Sequence, residues 1–168
     1  MSEKPHLERT AIRLKARELD RKTSLKIVDN SIWGAVSMCS PDGIPYNVAL
    51  NLVRDGEKLY FHAAGEGLKV EFLRMNPKVC VLFVTKAVLA PEQYTTLFAS
   101  AVVRGTSHEV TDISEKEHAL RLICGTFASE FPEELERRIA AGSARTTGIW
   151  RIDIDSVSGK SSPPGVID

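Results

Sequence analysis

An antiparallel β-sheet or barrel flanked by helices is the fold class this chain predicts, and three observations carry the prediction. Short runs rich in strand formers follow one another between Ile32 and Ala63. They are separated by two tight-turn signals, Ser40-Pro41-Asp42-Gly43 and Arg54-Asp55-Gly56-Glu57. In such turns proline presets one position and glycine accepts the positive φ that closes the hairpin. The middle run alternates, with Asn47, Ala49 and Asn51 on one face and Val48, Leu50 and Leu52 on the other, the period of a half-buried strand. Three short strands joined by tight turns make a meander.

The flanking elements follow in chain order. The first thirty residues have a helical character, with Leu7, Ile12, Leu14 and Leu19 thinly spread among charged residues. Asp20 is an N-cap for a short second helix through Leu25, Ile27 and Val28. After the meander, Gly65-Glu66-Gly67 leads into a helix from Leu68 to Met75, stopped by Asn76-Pro77 because the residue before proline avoids helical angles. Val79 to Val84 is a nearly continuous apolar strand, expected to be central and covered on both faces, and residues 85–93 are expected to form a loop. Tyr94 to Val103 is a long strand, with Gly105 marking a bend before Ser107 to Val110. Asp112 or Ser114 caps a helix reaching about Ala128, and Phe131-Pro132-Glu133-Glu134 opens another that ends near Gly142. A last strand, Thr147 to Ile154, precedes a tail with Gly159-Lys160. The expected organisation is therefore a helical segment over 1–30, a β domain over 31–158 with helices inserted at about 114–141, and a tail over 159–168.

Composition narrows the function classes. With 168 residues, one domain with a sizeable core is the natural size. Acidic and basic side chains balance at 22 each, which removes the electrostatic argument for a nucleic-acid or anionic-membrane partner. No apolar run approaches a membrane span, and the polar start lacks the zones of a secretion signal, so a cytoplasmic location is expected. Cys39, Cys80 and Cys124 are far apart and set among apolar neighbours, as free thiols in a reducing compartment are. With His62 and His108 they lack the close pairings of a tetrahedral zinc site. No serine elbow is present, and no Gly-x-Gly-x-x-Gly nicotinamide fingerprint.

The chemistry concentrates between Leu59 and Pro77, a strand, a glycine-containing turn and a helix. Unpaired N–H groups and the helix dipole at such a start suit an anion. Lys69 stands in the first turn, where a positive charge opposes the dipole and is accommodated if a phosphate lies between them. On the residues alone, a solvated surface lysine fits too. His62 ends the strand before the turn, where an imidazole can donate to a ligand or stand simply at a surface.

The stretch Leu59-Tyr60-Phe61-His62-Ala63-Ala64-Gly65-Glu66-Gly67-Leu68-Lys69, followed by Leu73-Arg74-Met75-Asn76-Pro77, resembles the nitroimidazole-resistance branch of the FMN-binding split β-barrels, in the pyridoxamine-phosphate-oxidase-like superfamily. Arg17 to Asp20, the hairpin from Trp33 to Leu50, Tyr94 to Gly105 and Gly159-Lys160 fall in the order of that family, so the similarity spans about residues 15–162. The resemblance implies an antiparallel split barrel, a homodimer and FMN in a groove between the two chains. By position it implies that Lys69 contacts the phosphate, helped by the Leu68 and Lys69 amides. Asn47, Val48 and Ala49 would line the isoalloxazine, and Phe61, His62 and Ala63 the ribityl chain and ring. His62 would stand nearest a bound small molecule and act in catalysis; Tyr94 and Ser100 would reach the same groove. Leu68 stands where many relatives carry arginine or serine, and the substrate-binding tail of true pyridoxamine-phosphate oxidases is not evident, so vitamin B6 oxidation is not expected. The implied activity is an FMN-dependent oxidoreductase passing electrons from NAD(P)H or another donor to a small organic acceptor. The competing readings are a non-catalytic flavin- or haem-binding protein and an interaction module whose flavin groove has decayed.

Overall fold

A computed structural model describes residues 12–164. The strands are β1 (Glu18–Leu19), β2 (Gly34–Cys39), β3 (Pro45–Leu50), β4 (Val53–Asp55), β5 (Lys58–Ala63), β6 (Lys78–Ala90), β7 (Thr95–Glu109) and β8 (Gly148–Ser162). The helices are α1 (Arg21–Asn30), α2 (Leu68–Met75), α3 (Ile113–Phe127), α4 (Pro132–Ala140) and α5 (Ser143–Thr146). All strand pairs are antiparallel, in the order β3-β2-β6-β7-β8-β5-β4, with β1 added to β8. This is the mainly β, helix-flanked split barrel that the sequence predicts.

Two cores share the sheet. Leu59, Phe61, Val81, Phe83, Val103, Trp150 and Ile152 fill the barrel, closed by Ile27 and Val28 of α1 and by Val70, Phe72 and Leu73 of α2. On the opposite face of β5 and β8, Tyr60 and Ile149 pack with Ala119, Leu120, Ile123, Ile139 and Ala144 beneath α3 to α5. Period-2 alternation along β5 and β8 thus feeds both cores from the same strands. Asp20 caps α1, accepting from the Thr23 N–H at 2.7 Å, and Asp112 caps α3, accepting from the Glu115 N–H at 2.8 Å.

The structure departs from the sequence expectations in several places. The first is the meander: β3 pairs with β2 alone and β4 with β5, so the run from Ile32 to Ala63 makes two hairpins at opposite ends of the strand order. Leu7 lies outside the described residues, and the expected helix over 12–19 is a 3-10 turn at Lys15–Arg17 followed by β1, paired with Gly159 and Lys160. That pairing draws the expected tail into β8, which runs through Ser162. Residues 85–90 are strand rather than loop: the register shifts between Val84 and Lys86, and β6 continues against β7 to Ala90. β6 is central but not covered on both sides, since Leu82 and Val84 are exposed. α5 had no sequence signal, because four residues carry no periodicity.

Candidate functional site

β5 delivers its residues to two sides. Phe61 and Ala63 turn into the barrel core, where Phe61 is 0% exposed, so only their backbone can meet a ligand. His62 points the other way, on the side of Tyr60 and opposite Ile149, and is exposed. Close by, Ala63 pairs with Gly148, where any Cβ would lie 2.6 Å from the Ala63 carbonyl oxygen.

The chain then turns through Ala64 to Gly67 into α2. Gly67 adopts φ 115° and ψ 167°, an angle pair open essentially to glycine, and no side chain caps the helix. The Gly67 carbonyl accepts from the Val70 and Glu71 N–H groups at 2.9 and 3.1 Å. The Leu68 and Lys69 N–H groups are therefore the free donors of the first turn. Lys69 is half-buried and makes no hydrogen bond or ion pair with a described residue. Donors, dipole and an unengaged ammonium fit an anionic group such as a phosphate.

α2 is held against β2 and β3. The Phe72 and Tyr46 rings lie 5.4 Å apart, and Asn76 Nδ2 donates to the Cys39 carbonyl at 2.9 Å. β3 therefore borders the same region. Asn47 and Ala49 are exposed on its outer face, and Asn47 Nδ2 donates to Ser37 Oγ at 2.7 Å. Val48 turns inward against the barrel core, leaving its backbone on the outside. Within one chain the end of β5 leads directly into the α2 turn, and β3 meets α2 through Tyr46 and Phe72. Tyr94 sits at the β6–β7 hairpin tip, 98% exposed with φ 51°. Ser100 lies on β7, paired with Val84 and Lys160.

A polar cluster beside this region carried no recognisable sequence motif. Glu115 of α3 accepts from Tyr60 Oη and from an Arg151 guanidinium N–H, both at 2.9 Å. Burial tends to raise the Glu115 pKa, but the Arg151 and Tyr60 hydrogen bonds prevail and hold it below the ordinary carboxylate value. Burial, then the Glu115 bond, pushes the Tyr60 phenol strongly up. Lys58, Tyr60 and His62 alternate onto one face of β5, but no local pattern marks the helix that meets them. The concavities of about 600 and 370 Å³ in the chain surface lie beside Phe131 and Leu135 of the helical insert, away from Lys69. Free N–H donors and an ammonium converge at the α2 turn instead.

The antiparallel barrel with a glycine turn opening onto a helix start defines a protein of the split-barrel class. The sequence pattern of pyridoxamine 5'-phosphate oxidase matches residues 20–161, and the chain belongs to that family. Among solved structures, a candidate 5-nitroimidazole antibiotic resistance protein of Bacteroides thetaiotaomicron is 25% identical over 86% of each chain, with a TM-score of 0.70. This agrees with the branch indicated by the Leu59–Pro77 stretch. An FAD-binding protein of Mesorhizobium loti is 23% identical over 86% of this chain and 96% of its own, at 0.64. A flavocytochrome of Azotobacter vinelandii is 22% identical over 90% and 72%, at 0.72. These last two share the fold. Comparison with curated proteins returns no match.

Proposed function

We propose that this protein is an FMN-binding flavoprotein that works as a cytoplasmic homodimer and reduces a small organic acceptor. The observation that carries the reading is the half-buried Lys69 without a partner at the uncapped start of α2. The Leu68 and Lys69 N–H groups and the Lys69 ammonium hold the phosphate. The Phe61 to Ala63 backbone follows the ribityl chain, and Asn47 with the Val48 and Ala49 backbone borders the ring. When bound, FMN supplies the redox chemistry, and the protein supplies placement and electrostatics. His62 faces outward beside the same strand end, so it positions the acceptor and can donate a proton to it. A nitro-aromatic acceptor is favoured by the likeness to the Bacteroides protein. NAD(P)H or another donor binds transiently.

A haem-binding reading has one specific support besides the flavocytochrome likeness. His108 and His118 each face a carboxylate, Asp153 at 3.2 Å and Asp55 at 2.9 Å, which leaves the His62 ring unengaged among the described histidines.

The visible spectrum of the purified protein separates these readings. An FMN spectrum that bleaches with NAD(P)H and recovers with a nitro-aromatic acceptor is expected; a Soret band would establish haem. Lys69→Ala is expected to weaken FMN binding by about 1.5–3 kcal/mol, the range of a charge-assisted hydrogen bond. Unchanged affinity in a flavin titration would place the phosphate elsewhere.

A further inference from the structure

β8 begins where β5 ends. Gly148, its first residue, stands opposite Ala63, and the two strands approach there so closely that only a residue without a Cβ fits. A Cβ on Gly148 would lie 2.6 Å from the Ala63 carbonyl oxygen and 3.3 Å from that of Ala64. Both are backbone atoms, so no change of rotamer relieves the contact. Gly148 does not have a positive φ, so the close approach, and not its own angles, requires glycine. Phe61 fixes β5 two residues earlier, with its ring fully buried in the barrel. Beyond Ala63 the chain is held less. Gly65 and Glu66 make no hydrogen bond with a described residue, so the turn takes its place from its two ends. One end is Gly67, whose carbonyl accepts from Val70 and Glu71. The other is the Ala63–Ala64 backbone, which rests against Gly148.

The start of β8 is itself pinned from the helical insert. Lys116 of α3 donates from its ammonium to the Thr147 carbonyl at 3.1 Å. Thr147 also closes α5, its N–H and its Oγ1 both donating to the Ser143 carbonyl at 2.9 Å. Ala144 of α5 and Ile149 of β8 are buried in the core beneath α3. Gly148 is therefore held on both sides, by Thr147 before it and by Ile149 after it. Lys116 stands near the start of α3, where a cation opposes the helix dipole. Its bond to Thr147 offsets that placement.

We propose that Gly148 and Lys116 are positioning residues for the cofactor turn. The insert, through Lys116 and Thr147, holds Gly148 against Ala63 and Ala64 and so aims the Leu68 and Lys69 N–H groups at the phosphate. The proposal rests on the flavin reading above. It gives the insert a part in cofactor affinity, although its own concavities lie away from Lys69. Bulk added at Gly148 has to be taken up on one side. β8 is fixed by the contacts just described, so Ala63 and Ala64 give way, and the turn behind them shifts. Hydrogen bonds weaken steeply once distance and angle leave their narrow range. The flavin ring depends less on this end of the turn, because β3 borders it from a separate hairpin with β2.

The test compares FMN with riboflavin, which lacks the phosphate, in titrations of the intact protein. The ratio of the two affinities isolates the phosphate contacts, since a general loosening of the fold lowers both alike. Gly148→Ala is expected to lower that ratio about tenfold, as the loss of one charge-assisted hydrogen bond would. Lys116→Met keeps the stem and removes the ammonium; it is expected to lower the ratio about threefold, and Lys116→Arg to restore it. Lys116 lies outside both cores, so its two variants decide the case even where Gly148→Ala does not fold. A wild-type ratio in Lys116→Met, or a Lys116→Arg variant no better than Lys116→Met, would overturn this inference alone. Wild-type protein that binds FMN no more tightly than riboflavin would overturn the phosphate reading beneath it.

Discussion

At Gly67 the backbone has an angle pair that an L side chain can take only under strain, and the residue leads into α2 without a side-chain cap on the first N–H groups. Nothing lies within 4 Å of a Cβ placed there, so the cost of Gly67→Ala is conformational rather than steric. Roughly 1–3 kcal/mol of stability is expected to be lost, measured by urea unfolding. Weaker FMN binding should accompany the loss, because the turn would re-aim its donors. Gly65-Glu66-Gly67 was visible in the sequence as a turn. Which glycine holds the unusual angle was not, since either spacing suits a helix start. His62 was visible as a strand end, and alternation with Phe61 set its direction. Changing His62→Ala is expected to alter turnover or acceptor affinity more than FMN retention, compared by steady-state kinetics and flavin titration. The reverse result would place His62 in the cofactor's shell.

Helix α3 illustrates why elements were legible where their contacts were not. Its capping aspartate and apolar stripe are local signals, and the observed helix, Ile113–Phe127, follows them. Its docking depends on Glu115 meeting Tyr60 and Arg151, residues 55 and 36 positions away. No local pattern encodes such a meeting. The β6–β7 hairpin failed for a related reason. Lys86 and Pro91 look like loop residues, yet the bulge at Thr85 rephases the strand, and Pro91 sits in the turn rather than in the ladder. Tyr60→Phe removes one hydrogen bond from Glu115 while Arg151 remains. A loss of about 0.5–1.5 kcal/mol is expected in chemical unfolding. Since the folded state depresses the Glu115 pKa, the unfolded chain takes up the proton first as pH falls. The contribution of Glu115 is complete above its ordinary value of 4.5 and disappears as pH drops through the lower folded value. Glu115→Gln should therefore flatten the stability-against-pH curve below about pH 4.5. A slope identical to wild type would show that other carboxylates control acid sensitivity.

Across the whole molecule, the helical insert and the barrel are two cores built on one pair of strands. Leu59 and Phe61 of β5 fill the barrel, and Tyr60 between them fills the insert core; on β8, Trp150 and Ile152 alternate with Ile149 in the same way. A strand cannot leave one core while its alternate residues remain ordered in the other. Separate unfolding would require the insert to peel from β5 and β8 while those strands held, exposing Tyr60 and Ile149, which are 2% and 0% exposed in the folded chain. Uncovering two such side chains costs about 1.5–3 kcal/mol each, before counting the helices' own apolar faces. One cooperative transition is therefore expected. Tryptophan fluorescence follows the barrel through buried Trp150, and circular dichroism at helix wavelengths follows chiefly α3 and α4, so the two probes observe different cores. Their urea midpoints should coincide. An earlier helical transition would show that the insert opens by itself, and the wall beside His62 would then be a moving part rather than a fixed one.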